Sequence, residues 1–271
     1  MNNPNISVII PVYNSEKYIE QTLKSVLNQS YQSLEIICIN DDSTDKSKEI
    51  IKNLQKTDNR IKLINLDKNI GSPGKVRNIG VQKANGEIIA FLDSDDIWKP
   101  NKLKTQIKNM RNINSSFSYT KLINFNEKIS YEPKYILRLF KKWHIGNMLI
   151  DNTVTTSTVL ISKDLFNKVG GFRNSKMKVS EDYELWIKGI LTSKDIIFID
   201  EVLTEYRVNE NSITNSKISF IDIYLNILII AKDMIFSRNM KYLLFGIVRI
   251  LTLPLLVVYH ILIKIRGVLQ K

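Results

Sequence analysis

Residues 6–12 (ISVIIPV) form a nearly continuous apolar run, which predicts a strand buried on both faces. Over residues 16–29 the apolar positions change to helical spacing, with Ile19, Leu23, Val26 and Leu27 on one face. A second buried strand is predicted at 35–40 (EIICIN). The following Asp41-Asp42-Ser43-Thr44-Asp45 reads as the cap of a helix bearing Ile50, Ile51 and Leu54. A third strand is predicted at 61–66, a loop at Gly71–Gly74, a helix from Val76 to Lys83, and a fourth strand at 87–92 (EIIAFL). That last strand runs directly into Asp93-Ser94-Asp95-Asp96. Strand and helix alternate throughout, so the expected fold class is α/β, a mostly parallel sheet with helices on both faces. Ligands of such sheets bind beyond the carboxyl ends of the strands, where Asp41-Asp42 and the Asp93–Asp96 cluster should converge.

Beyond Trp98 the pattern loosens. It predicts a polar helix at 101–112, short mixed pieces over 117–142, a strand at 153–161 (TVTTSTVLI) and a helix from Lys163 to Val169. After a Gly170-Gly171-Phe172 turn come a helix at 182–191 and a strand at 196–206 leading into Arg207. Residues 218–236 carry a helical apolar face, and 243–263 are almost wholly apolar, interrupted by Arg249 and bent by Pro254. A spanning helix needs ~20 apolar residues, and an arginine at its centre costs roughly 2.5–3.5 kcal/mol. The expectation is therefore C-terminal apolar helices lying in the cytoplasmic leaflet, with Arg238, Lys241, Lys264, Arg266 and Lys271 as head-group anchors. The alternative is a buried helix packed on the rest of the chain or on a second subunit.

A 271-residue chain with 44% hydrophobic and 24% charged residues supports an ordinary globular core. The single cysteine, Cys38, excludes a disulfide within the chain and a Cys-rich zinc site, and its apolar neighbours mark it as core. The N-terminus shows no secretory signal, so the expected location is cytoplasmic. The net charge of +12 is concentrated in 99–142 (eleven Lys/Arg, two Glu) and 232–271 (seven Lys/Arg, one Asp). No zinc-finger spacing or RNA-binding aromatic signature accompanies these stretches, so no nucleic acid partner is expected.

Three aspartates within four residues, straight after an apolar strand, repel one another, which a purely structural turn would avoid. Their hard oxygens suit Mg2+ or Mn2+ held by one or two carboxylates together with substrate phosphates. Asp41-Asp42 is ambiguous alone, because an Asp-Ser-Thr-Asp run is also a good helix cap. Glu181-Asp182 at a helix start could likewise do no more than complement the helix dipole.

Five segments in order resolve much of this. Pro11-Val12-Tyr13-Asn14, Asp41–Asp45, Gly71–Gly80 with Arg77-Asn78, FLDSDDIW at 91–98, and Ser180-Glu181-Asp182-Tyr183-Glu184-Leu185-Trp186 together resemble family 2 glycosyltransferases over roughly residues 5–210. The resemblance implies the GT-A fold, with Pro11, Val12 and Tyr13 lining the nucleoside pocket and Asp42 on the base, commonly uracil. It implies Arg77 and Ser94 beside the nucleotide, Asp93 and Asp95 as the Asp-x-Asp motif with Asp95 the direct metal ligand, and Asp182 as the catalytic base. Glu181 and Trp186 fall on the acceptor side, Trp186 either as a sugar platform or as core. Arg207 falls near the pyrophosphate. Many members place a histidine where this chain has Asn209, a poorer metal ligand. His144 and His260 have no motif around them.

The expectation is an inverting enzyme that moves a sugar from a nucleotide diphosphate, commonly UDP, to a lipid-linked or growing glycan acceptor in cell-surface polysaccharide synthesis. Its parts would be a domain at 1–215, with a nucleotide-binding half at 1–98 and an acceptor half at 99–215, and a membrane-associating segment at 216–271. The enzyme would then be peripheral on the inner face of the membrane, and an oligomer is compatible with the sequence. A sugar nucleotidyltransferase is the alternative enzyme, although residues 11–18 lack its Gly-rich basic signature. A non-catalytic membrane partner is the alternative non-enzyme.

Overall fold

The computed structural model describes residues 5–126, 129–131, 148, 152–173, 181–208, 220–236 and 239–252. Its first half follows the predicted alternation: β1 Ile6–Val12, α1 Ile19–Leu27, β2 Leu34–Asn40, α2 Ser47–Thr57, β3 Ile61–Asn65, α3 Pro73–Lys83 and β4 Ile88–Phe91. These strands pair in parallel in the order β3-β2-β1-β4. Within β1, Ile6, Val8, Ile10 and Val12 enter the core on one face and Ile9 the core on the other, as a period of two requires.

The second half continues the same sheet with β5 Ile97–Trp98, α4 Lys102–Asn112, β6 Phe117–Phe125, β7 Ser130–Tyr131, β8 Leu160–Ser162, α5 Lys163–Lys168, α6 Glu181–Thr192 and β9 Ile196–Arg207. Beyond β4 the order is β8-β6-β9-β5, with β8 antiparallel to β4 and β6, and β9 parallel to β6. Two predictions change here. The stretch 117–142 opens on one nine-residue strand, longer than the pieces expected, followed by the two-residue β7, while 127–128 and 132–142 lie outside the described residues. The strand expected over 153–161 is instead a 3-10 turn at Thr156–Thr158 followed by β8. Alternating Thr and Val resembles a strand, but the threonine and serine hydroxyls bond side chains and backbone instead of leaving the chain to a ladder.

Helix α3 lies against β1 and β2 at Gly80, where an added Cβ would sit 2.6 Å from side-chain carbons of both Ile9 and Ile39. Gly80→Ala is expected to cost about 1–3 kcal/mol by overpacking. Urea unfolding would register this as a lower midpoint with an unchanged slope.

The described tail packs inward. Helix α7 (Phe220–Ile235) and helix α8 (240–252) contribute Ile227, Ile230, Met234 and Phe245 to the cluster that holds Phe91 and Trp186. Gly246 lets the two helices approach, since a Cβ there would lie 2.6 Å from the Ala231 carbonyl oxygen. Arg173 bridges Glu184 on α6, at 2.5 Å, and Asp233 on α7, at 2.6 Å. Arg249 is buried with its guanidinium 5.7 Å from the Tyr183 ring centre, so the residue that interrupts the apolar run faces protein. Among the described residues no helix is long and apolar enough to cross a membrane.

Candidate active site

The loops that follow β1, β2 and β4 meet at the carboxyl ends of the parallel strands. Asn14 and Asp42 adopt left-handed backbone conformations, with φ of 47° and 59°, where short polar side chains are tolerated. The first two loops are stapled together. The Asn14 backbone N–H donates to Ser43 Oγ at 3.1 Å, Thr44 N–H donates to Asn14 Oδ1 at 2.9 Å, and Glu16 N–H donates to Asp45 Oδ2 at 2.8 Å. Asp45 also accepts from Ser47 N–H, so this carboxylate of the predicted cap does serve the start of α2. Burial opposes its charge, but these hydrogen bonds outweigh burial and hold its pKa below the usual range.

The structure separates the ambiguous pair. Asp41 is buried, and its carboxylate accepts from Ile70 N–H at 2.8 Å and Gly71 N–H at 3.2 Å, fixing the loop before α3. Asp42 is exposed beside the equally exposed Tyr13 loop. Val12 is buried, and its carbonyl accepts from Asp41 N–H, so it shapes this wall through backbone. Pro11 is half-buried alongside it. Cys38 is fully buried below, its thiol pushed up to about 12 by burial, as befits a core residue.

Ser72 caps α3, with Pro73 at its first turn, and this places Arg77 under the Asp loop. Arg77 donates from Nη2 to Asp93 Oδ1 at 2.5 Å and lies 5.4 Å from the Phe172 ring centre. The predicted Gly170-Gly171-Phe172 turn is tied to the same helix, with Asn78 exchanging hydrogen bonds with the Phe172 backbone at 2.8 and 3.0 Å. Gly171 has φ of 67°, and a Cβ there would meet Asn78 Oδ1 at 2.9 Å, so the turn needs glycine.

The four residues of Asp93–Asp96 do different things. Asp93 and Asp95 are half-buried at the cleft. Ser94 shares a 2.7 Å hydrogen bond with Ser15, and its carbonyl accepts from Thr22. Asp96 is fully buried, accepting from Ser157 Oγ at 2.5 Å and from Arg207 N–H at 2.9 Å. Burial, aided by the charges of Asp95 and Asp93, pushes its carboxyl well above the usual range. It is the foundation of the loop and does not face the cleft.

Arg207, expected near a pyrophosphate, is buried behind the loop. Its Nε donates to the Asp95 carbonyl at 2.8 Å and its Nη2 to Gln21 Oε1 at 2.7 Å, between the rings of Tyr18 and Phe125 at 4.4 and 4.3 Å. Removing it in Arg207→Leu forfeits two hydrogen bonds from a charged group, each worth about 1.5–3 kcal/mol. Chemical denaturation is expected to show that loss as a lower midpoint.

Asp182 begins the second residue of α6. Its carboxylate accepts from Asn152 Nδ2 at 3.2 Å and from Thr156 Oγ1 at 3.1 Å. Burial raises its pKa above the usual carboxylate range, Arg77 and the Thr156 hydroxyl pull it back, and Asp93 pushes it up again. Thr156 bonds Asp182 while its neighbour Ser157 accepts from Asp93 N–H at 3.1 Å, so Asp182 and the Arg77-paired Asp93 loop meet at one turn.

One open alternative is decided here. Trp186 is fully buried, with its ring 5.8–5.9 Å from those of Phe91, Phe117 and Phe172, so it belongs to the core and offers no platform for a sugar. A helix with inward positions four apart from Asp182 puts this ring in the sheet interface. Asn209, His144 and His260 lie outside the described residues, as does the side chain of Glu181. Thr156, Ser157, Asn152, Gln21 and Tyr18 had no role in the sequence reading. Hydroxyl and amide groups that act by long-range hydrogen bonds carry no spacing signal.

The cleft holds two half-exposed carboxylates, Asp93 and Asp95, and among the described residues no cluster of three or more metal-ligating side chains. This donor set fits Mg2+ or Mn2+ ligated largely by diphosphate oxygens and water, and does not fit a closed all-protein site.

The profile of glycosyl transferase family 2 matches residues 7–169. The chain is similar to the Escherichia coli UDP-Glc:alpha-D-GlcNAc-diphosphoundecaprenol beta-1,3-glucosyltransferase WfgD, at 35% identity over 78% of this chain and 80% of that one. It is similar to the putative teichuronic acid biosynthesis glycosyltransferase TuaG of Bacillus subtilis (strain 168), at 31% identity over 79% and 83%. In structure it resembles a fragment of S. aureus TarS in complex with UDP-GlcNAc, with a TM-score of 0.73 at 25% identity over 88% of this chain and 68% of that one. With a mixed sheet of the GT-A type, an Asp-x-Asp loop closing its parallel half and a family profile spanning more than half its length, this chain belongs to glycosyl transferase family 2, enzymes that transfer sugars from nucleotide-sugar donors.

Proposed function

We propose that the protein moves a sugar from a UDP-linked donor, with inversion, to a lipid-linked or growing glycan acceptor in cell-surface polysaccharide synthesis. The observation that carries this reading is geometric: adjacent residues Thr156 and Ser157 bond the Asp182 carboxylate and the Asp93 backbone, and Arg77 pairs with Asp93. A carboxylate base and a cation-braced diphosphate loop are what a single displacement at an anomeric carbon needs. The names of WfgD, TuaG and TarS support the nucleotide, the acceptor class and the polysaccharide setting.

In this mechanism the exposed Asp42 and Tyr13 and the backbone of Pro11 and Val12 hold the nucleoside, while Arg77 braces Asp93. Asp182 accepts the acceptor hydroxyl proton as that oxygen bonds to the anomeric carbon. The bond from that carbon to the diphosphate oxygen breaks, and its electron pair leaves with the nucleoside diphosphate. A divalent metal, Mn2+ or Mg2+, bound through Asp95 and Asp93 would supply charge neutralisation for that leaving group. Turnover of a panel of nucleotide sugars by purified protein, with Mn2+ or Mg2+, tests the reading. Transfer from a UDP-sugar supports it, and inertness toward every UDP-sugar refutes it.

The same reading puts the enzyme on the inner face of the cell membrane. Met240, Leu244, Ile247 and Leu251 are exposed on the outer face of α8, an apolar stripe at helical spacing next to exposed Phe236. The 271-residue chain is expected to cosediment with vesicles containing anionic phospholipid. A Leu244→Glu/Leu251→Glu variant should stay in the supernatant with an unchanged Tm. A wild-type protein that remains in the supernatant refutes the membrane reading.

A further inference from the structure

We propose that the Thr156–Thr158 turn is a shared positioning element of the site. Thr156 would orient the Asp182 carboxylate while its neighbour Ser157 holds the Asp93–Asp96 loop. The inference rests on the roles given above to Asp182 and to Asp93–Asp95.

The hydroxyls of these two adjacent residues go to different halves of the site. Thr156 Oγ1 donates to Asp182 Oδ2 at 3.1 Å. Ser157 Oγ accepts from Asp93 N–H at 3.1 Å and donates to Asp96 Oδ2 at 2.5 Å. One serine therefore grips the first and last residues of the loop that carries both Asp-x-Asp carboxylates. Through Asp96 the grip reaches the Arg207 backbone, and so β9. Asp182 lies on α6 and Asp93 follows β4, elements that the chain separates by ninety residues. The turn joins them within two residues.

The turn itself is held from behind by groups that do not face the cleft. The Ser157 carbonyl accepts from Trp98 Nε1 at 2.8 Å and Thr204 Oγ1 at 3.4 Å. The Thr158 carbonyl accepts from Gln106 Nε2 at 3.1 Å, and Thr158 Oγ1 closes back on the Thr155 carbonyl at 2.7 Å. Gln106 is in turn fixed by the buried Lys102, whose Nζ donates to Oε1 at 2.6 Å, and by Ser118 at 3.0 Å. Thr156, Ser157 and Thr158 are all buried. A turn needed only to connect segments would not direct consecutive hydroxyls at a base and at a phosphate-side loop. A catalytic group held by such locked supports keeps the geometry that proton transfer requires.

The test compares Thr156→Val, Thr156→Ser, Ser157→Ala and Asp182→Asn in the full chain. It measures Tm, equilibrium binding of UDP with Mn2+, and kcat and KM for the donor that wild type turns over. A hydrogen bond to a charged group is worth enough for Thr156→Val to lower kcat about 10- to 100-fold. UDP affinity should not change, and Thr156→Ser should restore most of the rate. Ser157→Ala is expected to weaken UDP binding in Mn2+ about tenfold, by loosening support behind the loop. Wild-type kcat in Thr156→Val overturns the proposal, and so does a serine variant no better than the valine. Unchanged UDP affinity in Ser157→Ala overturns its loop half. If Asp182→Asn itself transfers sugar normally, the reading of Asp182 as base has failed, and the Ser157 binding measurement still judges the loop half by itself.

Discussion

Asp182→Asn is expected to lower kcat by about 10²–10⁴, the range a positioned general base contributes, while leaving nucleotide binding intact. Asparagine keeps the shape of the side chain and can still meet Thr156 and Asn152, so the fold of the site survives. It cannot take the acceptor proton. Loss of nucleotide affinity in this variant would place Asp182 in donor binding and remove it as the base. The pH profile gives an independent check. Asp182 must be ionised to act, so kcat/KM falls as pH drops through its pKa. Burial raises that pKa against the opposing pull of Arg77 and Thr156. The acid limb should therefore lie above the ~3.9 of an ordinary aspartate. A rate that stays flat down to that value contradicts the assignment.

The second large effect concerns metal. Asp95→Ala is expected to weaken nucleotide binding in Mn2+ by at least about 10- to 100-fold, since even outer-sphere partners of a metal are worth that much. In chelator the variant and wild type should bind nucleotide alike, because only the metal-dependent part is lost. Isothermal titration in both conditions makes the comparison. Persistent Mn2+-dependent affinity in the variant would assign the metal to other residues. Arg207→Leu provides a contrast, since its loss acts through the Asp95 carbonyl and should be accompanied by a fall in stability.

The first ninety residues were legible because each element there is short-range. Apolar runs at 6–12, 35–40 and 87–92 emerge as β1, β2 and β4 within a residue or two, and helical spacing finds α1 and α2. The strand ends follow from that alternation, so Asp42 and Asp93 could be placed near one another before any contact was known. The motifs added Arg77 and Asp182, which the structure brings to the Asp93 loop, Arg77 by an ion pair and Asp182 through the Thr156–Ser157 turn.

What the sequence by itself determined, then, is the parallel half of the sheet, the end of it that carries acidic groups, and the family. The tertiary structure decided which member of each acidic set is buried as a support and which stays open to solvent. Asp41 and Asp42 are chemically identical neighbours, as are Asp95 and Asp96, and only burial distinguishes the loop-fixing member from the cleft-facing one. Packing likewise decided that Trp186 fills the core, that Arg207 clamps a loop and that Arg249 faces protein. It also turned the expected strand at 153–161 into the turn behind both carboxylate centres. The physical reason is the same in each case. Periodicity records which face of an element is apolar, whereas a hydrogen bond between residues far apart in the chain depends on where the fold brings two side chains, and leaves no local pattern.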